Sequence, residues 1–138
     1  MAEEATYPTP VANADSRPYW DAAARDELLV RHCTDCGQHH FPPRHLCPKC
    51  WSDKLDWTRC SGRGTVYSYT VMQRAPMPDF AKRVPYVVAL IDLEEGPRMM
   101  SNIVGEDALQ TKVGDRVTVC FEQRGVEAKV PQFRRSGS

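Results

Sequence analysis

Two Cys-x-x-Cys pairs near the middle of the chain have the residue types and the spacing of a metal site. Cys33 and Cys36 form the first pair, Cys47 and Cys50 form the second, and ten residues separate the pairs. Two such turns facing each other supply the four soft ligands that a tetrahedral ion needs. Because four thiolates leave no open position for water, the spacing predicts a structural zinc rather than a hydrolytic one. A rubredoxin-like iron centre would use the same four ligands and stays an alternative.

Four histidines crowd the same part of the sequence. Each has the chemistry to replace a cysteine ligand or to donate a hydrogen bond to the site, and each would equally suit the polar surface of a hairpin. They are His32, His39, His40 and His45.

Two further cysteines, Cys60 and Cys120, lie outside the pairs. Either thiol could act as a nucleophile, but no His or Asn stands near them in a recognisable motif, so we expect small structural cysteines. The sequence also contains no Gly-rich phosphate loop, no Ser-His-Asp order and no helical metal motif. We therefore expect a chain that is not catalytic on its own, with a self-sufficient cysteine enzyme as the alternative.

A proline-rich loop over residues 74–85 combines cations with apolar side chains. The side chains of Arg74, Lys82 and Arg83 would suit phosphate groups, and Phe80 would suit an apolar part of the same ligand. The loop is therefore a candidate binding site for a phosphorylated, partly apolar molecule, with an ordinary exposed loop as the alternative.

Composition and charge limit the function classes. Lys and Arg total 18, as do Asp and Glu, so the formal net charge is zero. Nucleic-acid binding normally needs a basic surplus, although Tyr67 and Tyr69 share a strand face that would suit base stacking as well as packing. No apolar run approaches the ~20 residues of a membrane span, and residues 1–14 have no signal-peptide core. We expect a soluble cytoplasmic protein without a membrane partner, whose paired cysteines bind metal rather than form disulfides.

The elements around the cysteines divide the chain into four parts. We expect a flexible tail at 1–15, an N-terminal helix at 16–27, a zinc ribbon at 28–60 and a barrel domain at 61–135. Ser16 and Pro18 suit the start of the helix. The ribbon is too small to have a core of its own, so bound metal must stabilise it.

Five short strands are predicted after the ribbon, with one helical turn between the third and the fourth. Their ranges are 65–73, 86–93, 98–104, 116–122 and 129–133, the last of which could instead be a tail. Residues 86–93 are apolar on both faces, so we expect each face to be covered. Short strands rich in β-branched and aromatic residues, together with this helical turn, predict a small closed barrel of the OB type.

These parts, in this order, resemble the family of OB-fold proteins called domain of unknown function 35. The likeness covers residues 16–135 and rests on RPYWDAA at the helix, CTDCG and PPRHLCPKC in the ribbon, and SGRGTVYSYTV, PYVVALIDLEEGPRMMSNIVG, VGDRVTVCFE and VPQFR in the barrel. The resemblance implies a mainly β fold with an N-terminal helix, a four-cysteine rubredoxin-like zinc ribbon and a C-terminal five-stranded OB-fold barrel. It implies that the zinc ligands are Cys33, Cys36, Cys47 and Cys50.

The resemblance further implies a role as a partner of an enzyme. Such proteins form hetero-oligomers with thiolase-like catalytic subunits, or with acyl-CoA hydratases and steroid-type aldolases, and the partner carries the catalytic Cys and His. The small subunit stabilises the assembly and helps to enclose coenzyme A or acyl-CoA. We expect a non-catalytic, zinc-containing subunit with a thiolase-type partner; a hydratase or aldolase partner and a nucleic-acid-binding module are the alternatives. The candidate coenzyme A contacts are Arg74, Phe80, Lys82 and Arg83.

Overall fold

The computed structural model of the protein describes residues 10–75, 78, 83–124 and 128–136. These residues form a helix, three short strands, five longer strands and a 3-10 turn at Ala108–Gln110. The bounds are α1 Arg17–Ala24, β1 Leu29–Cys33, β2 His39–His40, β3 Leu55–Arg59, β4 Arg63–Met72, β5 Tyr86–Leu93, β6 Arg98–Val104, β7 Arg116–Arg124 and β8 Ala128–Arg135. The order confirms the predicted fold class of a leading helix, a four-cysteine ribbon and a barrel.

Helix α1 is short and is anchored by an aromatic side chain. Ser16 is its N-cap residue and Pro18 lies in its first turn, but the Ser16 side chain does not cap the helix. The backbone N–H of Ser16 instead donates to the Asn13 side-chain carbonyl at 2.8 Å. Because eight residues are too few for a helix that is stable alone, burial of Tyr19 against the rest of the chain must hold it.

The three short strands form an antiparallel sheet in the order β2-β1-β3. Strand β1 lies in the middle, with Cys33 opposite Leu55 on β3 and His32 opposite His39 on β2. The first Cys-x-x-Cys turn joins β1 to β2, and the second lies in the connection between β2 and β3. The sheet therefore brings the two cysteine pairs to the same end of β1.

The five longer strands close into a barrel in the order β4-β5-β6-β8-β7. Strands β6 and β8 are parallel, with Ile103 opposite Phe133, and the other neighbours are antiparallel. The predicted fifth strand is thus confirmed as β8, and the 3-10 turn lies between the third and fourth barrel strands as predicted. No helix in the described part of the chain is long and apolar enough to cross a membrane.

Strand β5 runs through the centre of the packing. Its alternate residues from Val87 to Leu93 are buried inside the barrel, whereas those from Tyr86 to Asp92 are half-buried on the outer face. Gly64 on β4 permits the close approach of this strand, because a Cβ there would lie 2.6 Å from Ile91 Cγ2 and 2.9 Å from the Asp92 carbonyl oxygen. The outer face of β5 is less completely covered than its apolar sequence led us to expect.

One hydrophobic cluster joins the three parts of the molecule. It contains Tyr19 of the helix, Leu28 and Val30 at the base of the ribbon, and the inward side chains of the barrel, including the fully buried Phe133. The ribbon is therefore fixed to the barrel at the start of β1, and its cysteine turns lie at the opposite end of that strand.

Candidate metal centre and binding surfaces

The two cysteine turns have the same backbone arrangement. In the first, the N–H of Gly37 donates to the Cys33 carbonyl at 2.8 Å, and in the second, the N–H of Trp51 donates to the Cys47 carbonyl at 2.8 Å. The residue after each pair has a positive φ, 78° at Gly37 and 65° at Trp51. Each turn thereby directs its two sulfur atoms toward the other turn.

The four sulfur atoms lie at the separations that a tetrahedral zinc requires. Cys33 Sγ is 3.6 Å from Cys50 Sγ, Cys36 Sγ is 3.7 Å from Cys47 Sγ, and all four lie within 4.8 Å of one another. With Zn–S bonds of about 2.3 Å, an ideal tetrahedron has sulfur atoms about 3.8 Å apart. All four thiols are free, and the separations are far longer than a disulfide bond of about 2.05 Å. The donor set therefore fits a metal ion.

The thiols of Cys47 and Cys50 have pKa values shifted in opposite directions. The backbone N–H of Cys50 lowers the pKa of Cys47 to about 7. The N–H of Ser52 also lowers the pKa of Cys50, but desolvation and the neighbouring sulfur atoms outweigh it and raise that pKa to about 12. Four thiolates this close repel one another, and a bound cation is what would allow all four to lose their protons.

The histidines lie outside the sulfur cluster. His32 Nδ1 lies 2.9 Å from Asp56 and His39 Nε2 lies 3.2 Å from the Thr58 hydroxyl, both across the sheet. His45 lies 3.5 Å from Asp15, and burial lowers the pKa of His40. Among the described residues, the potential metal-binding cluster consists of the four cysteines without a histidine.

Cys60 and Cys120 are poorly placed to act as nucleophiles. Burial, followed by the Glu95 carboxylate, raises the pKa of Cys60 to about 12. Burial also raises the pKa of Cys120, although Arg134 opposes the shift. Both thiols are therefore protonated at neutral pH, whereas a cysteine nucleophile reacts as the thiolate.

The four candidate coenzyme A contacts are only partly described by the structure. Arg74 is exposed and forms no ion pair with another described residue. Arg83 pairs with Glu122 through both of its terminal guanidinium nitrogens, and both side chains are half-buried. Phe80 and Lys82 lie outside the described residues. The structure thus ties Arg83 to the barrel wall and leaves Arg74 facing solvent.

The predicted Tyr67–Tyr69 stacking platform is partly covered. Both rings are exposed, but the guanidinium carbon of Arg98 lies 3.4 Å from the centre of the Tyr67 ring. Arg98 is held there by Asp92, whose carboxylate accepts its Nε–H at 2.6 Å. One ring of the pair therefore already carries a cation, which leaves less surface for a nucleic-acid base.

An apolar patch lies on the outer face of strands β5 and β6. Met100 on β6 is 67% exposed, and its partner across the ladder is the half-buried Leu90 on β5. Tyr69 on β4 is 39% exposed but lies outside this patch, because its partner across the ladder is the buried Ala89 on the other face. Exposed apolar patches of this kind often mark the surfaces by which proteins associate.

Trp51 is an exposed aromatic residue in the second cysteine turn. It is 74% exposed and follows the second cysteine pair at the position that Gly37 occupies after the first. The sequence shows that the residue after the second pair is not glycine. That a tryptophan is unusual there follows from its positive φ, which only the structure gives.

Comparison with known proteins supports both parts of the fold. Residues 20–56 match the model of the ChsH2 rubredoxin-like zinc ribbon domain, and residues 57–122 match that of the ChsH2 C-terminal OB-fold domain. A chain in the solved structure of an Ltp2-ChsH2(DUF35) aldolase is 34% identical, with a TM-score of 0.82, over 93% of this chain and 99% of that chain.

Relatives of this chain fall into several groups. A DUF35 domain-containing scaffold protein from Methanothermobacter thermautotrophicus is 40% identical over 72% of this chain and 74% of that protein. A probable enoyl-CoA hydratase alpha subunit from Thermomonospora curvata is 35% identical over 95% of this chain, but the match spans only 40% of that longer protein. The benzoylsuccinyl-CoA thiolase subunit BbsA from Geobacter metallireducens is 32% identical over 54% of this chain and 48% of that protein.

Proposed function

This chain belongs to the DUF35 family, and from that membership we propose that it is a non-catalytic, zinc-containing subunit of an acyl-CoA-processing complex. The observation that carries the proposal is the likeness, over almost the whole of both chains, to a component of the Ltp2-ChsH2(DUF35) aldolase. The protonated state of Cys60 and Cys120 supports a role in which the reacting groups belong to another subunit.

Zinc has a structural role in this proposal. Cys33, Cys36, Cys47 and Cys50 would hold the ion, since their sulfur atoms already have tetrahedral separations. A zinc with four thiolate ligands supplies folding free energy and takes no part in turnover. The ribbon would thus present a fixed surface beside the barrel.

We propose a thiolase-type enzyme as the catalytic partner, in a hetero-oligomer in the cytoplasm. The similarity to the thiolase subunit BbsA supports this choice. The exposed patch around Met100 offers a surface for association, since interfaces are enriched in methionine.

A hydratase or an aldolase is the second candidate for the partner. The similarity to the Thermomonospora curvata hydratase subunit covers 95% of this chain, and that to the chain from the solved aldolase structure covers 93%. The three partner types differ in the reaction of the complex, which is thiolysis, hydration or retro-aldol cleavage.

Coenzyme A would be bound jointly with the partner. We propose that Arg74, Phe80, Lys82 and Arg83 contribute to this site. Of the two cations that the structure describes, Arg74 is the better placed to meet a phosphate, because it is exposed and forms no ion pair with described residues, whereas Arg83 pairs with Glu122. Arg83, which Glu122 already holds, would orient the loop as well as add positive charge.

Co-expression with the chains encoded beside it would test the proposal. We expect an acyl-CoA enzyme to co-purify with the affinity-tagged chain and the complex to turn over an acyl-CoA by one of the three reactions. The isolated chain should have none of these activities. A chain that stays monomeric and recruits no such enzyme, or that turns over acyl-CoA alone, would contradict the proposal.

A further inference from the structure

A set of arginine and hydroxyl side chains covers the outer face of β4, β7 and β8 at one end of the barrel. Their neighbours along the strands, such as Val117 and Phe133, are buried in the core, so these side chains point outward. The Thr118 and Ser136 hydroxyl oxygens lie 2.6 Å apart, which joins β7 to the end of β8 on this face. The first row across the strands is Arg63, Thr118 and Arg134, and the second is Thr65, Arg116 and Ser136.

A groove of about 870 Å³ runs along this face. Its lining includes every side chain of the two rows except Arg134, which is exposed beside it and lies opposite Thr118. The groove is at the start of β4, where Arg63 lies, whereas the 74–85 loop follows Met72 at the other end of the same strand. The groove is therefore a surface separate from that loop.

The two carboxylates that line the groove are already bound by arginines. A Glu94 carboxylate oxygen lies 3.2 Å from Arg63 Nε. Asp92 accepts the Nε–H of Arg98 at 2.6 Å. Each negative charge in the groove is thus balanced by a cation beside it.

Arg116 and Arg134 have no carboxylate partner of this kind. Both are exposed, and neither forms an ion pair with a described residue. Asp115, which precedes Arg116 in sequence, instead accepts the Nε–H of Arg135 at 2.9 Å. Arg134 lies beside the Cys120 thiol, which is neutral. Two positive charges on this face therefore lack a balancing negative charge among the described residues.

The ladder places these two cations at diagonal positions. Arg134 is the partner of Thr118, and Arg116 lies two residues before Thr118 on the same strand and the same face. Diagonal neighbours on a sheet are about 7–8 Å apart, within reach of long side chains, and like charges at such positions repel each other. An anion held between the two guanidinium groups would remove that repulsion.

The donors at this position suit a phosphate group. Guanidinium groups donate paired hydrogen bonds that match the spacing of phosphate oxygens. A phosphate monoester carries about two negative charges at pH 7, which equals the charge of Arg116 and Arg134 together. The Thr118 and Ser136 hydroxyls, between the two arginines, can donate further hydrogen bonds to the same oxygens.

We propose that this face binds the phosphate group of a small phosphorylated molecule between Arg116 and Arg134. Both guanidinium groups donate to the phosphate oxygens, and the Thr118 and Ser136 hydroxyls complete the shell. The rest of the ligand lies along the groove toward Thr65. The inference goes beyond the proposed function, because the site belongs to this chain alone and requires no catalytic partner.

The test is a titration of the whole chain with inorganic pyrophosphate, followed by amide NMR spectra. We expect saturable shifts at the amides of residues 116–118 and 134–136. Arg116→Gln and Arg134→Gln should each raise the dissociation constant by about tenfold, because each removes charge-assisted hydrogen bonds. The matched control is Arg17→Gln, which removes another exposed arginine without an ion pair to a described residue and should leave the constant unchanged.

Thermal unfolding separates this role from a structural one. Without anion and at low salt, Arg116→Gln should not lower the midpoint of unfolding, because it removes a repulsion. Pyrophosphate should raise the midpoint of the wild type more than that of the variant, since a ligand stabilises the state that binds it. A lower midpoint in both arginine variants without anion would overturn the inference in favour of a structural role. Unchanged pyrophosphate affinity in both, or an equal loss in Arg17→Gln, would also overturn it.

Competition identifies the source of the phosphate group. Coenzyme A and ATP would each be added to the pyrophosphate-bound chain, and displacement by either upholds the inference, with the stronger competitor naming the source. Displacement by neither would reduce the site to one for inorganic anions and overturn the inference. So would displacement by single-stranded DNA alone, in favour of nucleic acid, or binding that requires Arg74 but not Arg116, in favour of the 74–85 loop. Each of these failures leaves the proposed function standing, because none involves a catalytic subunit.

Discussion

The ribbon and the barrel are both built from short strands, but different forces stabilise them. The barrel surrounds a core of fully buried apolar side chains, among them Phe133, Ile91 and Val66. In the ribbon, Val30 belongs to the core that is shared with the barrel, and the deeply buried side chains at the far end of β1 are Cys33 and Cys47. A metal bound there would replace the apolar core that so small a sheet cannot form.

The two regions also expose different surfaces to solvent. The barrel exposes an apolar sheet face around Met100, and the ribbon exposes Trp51 next to the cysteines. On the proposed function, a bound metal would fix the orientation of the Trp51 surface, whereas core packing fixes that of the barrel face. A change to the ribbon should therefore disturb the Trp51 surface first, and a change to the barrel core should disturb the face around Met100 first.

The largest expected effect is from breaking the metal site. Cys47→Ser removes a buried ligand, and because metal binding supplies most of the folding free energy of such a ribbon, we expect loss of most of the bound zinc and rapid hydrogen exchange over residues 29–59. The amides of the barrel strands should stay protected. Metal analysis and hydrogen-exchange mass spectrometry would measure both effects.

Cys120→Ser is the control for this change, since Cys120 is half-buried outside the cluster. That variant should keep about one zinc per chain, the number that one four-thiolate site holds. Full zinc content in Cys47→Ser, or equal loss of protection in both regions, would contradict the division between ribbon and barrel.

The next effect comes from the barrel core. Phe133→Ala empties a fully buried site, and it should lower the free energy of unfolding by about 3–5 kcal/mol. Urea denaturation would measure the loss. Below the unfolding transition the variant should retain its zinc, because the sulfur atoms lie in the ribbon turns. A zinc-free native state would show that the two regions are not separately stabilised.

A smaller effect is expected where two barrel strands approach closely. Gly64→Ala would place a Cβ within 3 Å of both Ile91 Cγ2 and the Asp92 carbonyl oxygen, and overpacking of this kind costs about 1–3 kcal/mol. Val113→Ala, at an exposed position, should change the free energy of unfolding by less than about 0.5 kcal/mol. Equal stability of the two variants would rule out the close approach.

The smallest effect concerns pH and the turn before β7. The N–H of Lys112, and then the Arg135 guanidinium, lower the pKa of Asp115 below its ordinary value of 3.8. A carboxyl group with a lowered pKa in the folded state stabilises the fold above its unfolded pKa, and this contribution disappears as the pH falls through the folded value. Asp115→Asn should therefore be less stable than the wild type at about pH 6, and the difference should narrow toward about pH 3. A difference that is constant with pH would contradict this role.

Much of the fold was predictable because its signals are local. The spacing of Cys33, Cys36, Cys47 and Cys50 indicated a ribbon, since two such turns suit four converging ligands. The ends of β5 were predicted correctly because turn residues bound a continuous apolar run.

Other features depend on contacts that are distant in sequence. Strand β8 contains Pro131 and polar residues, and it is a strand because it pairs with both β6 and β7. The ion pair of Arg83 with Glu122 joins a loop to a strand 39 positions away, so a candidate ligand contact is held by the barrel. Only the positive φ of Trp51 distinguishes it from an ordinary exposed residue.

Native mass spectrometry of the co-expressed complex would report subunit composition and bound metal together. We expect a species that contains this chain with one zinc ion, the number a single four-thiolate site holds, bound to the chain of an acyl-CoA enzyme. Detection of this chain solely by itself, or of a complex in which it carries no metal, would contradict its role as a zinc-containing subunit.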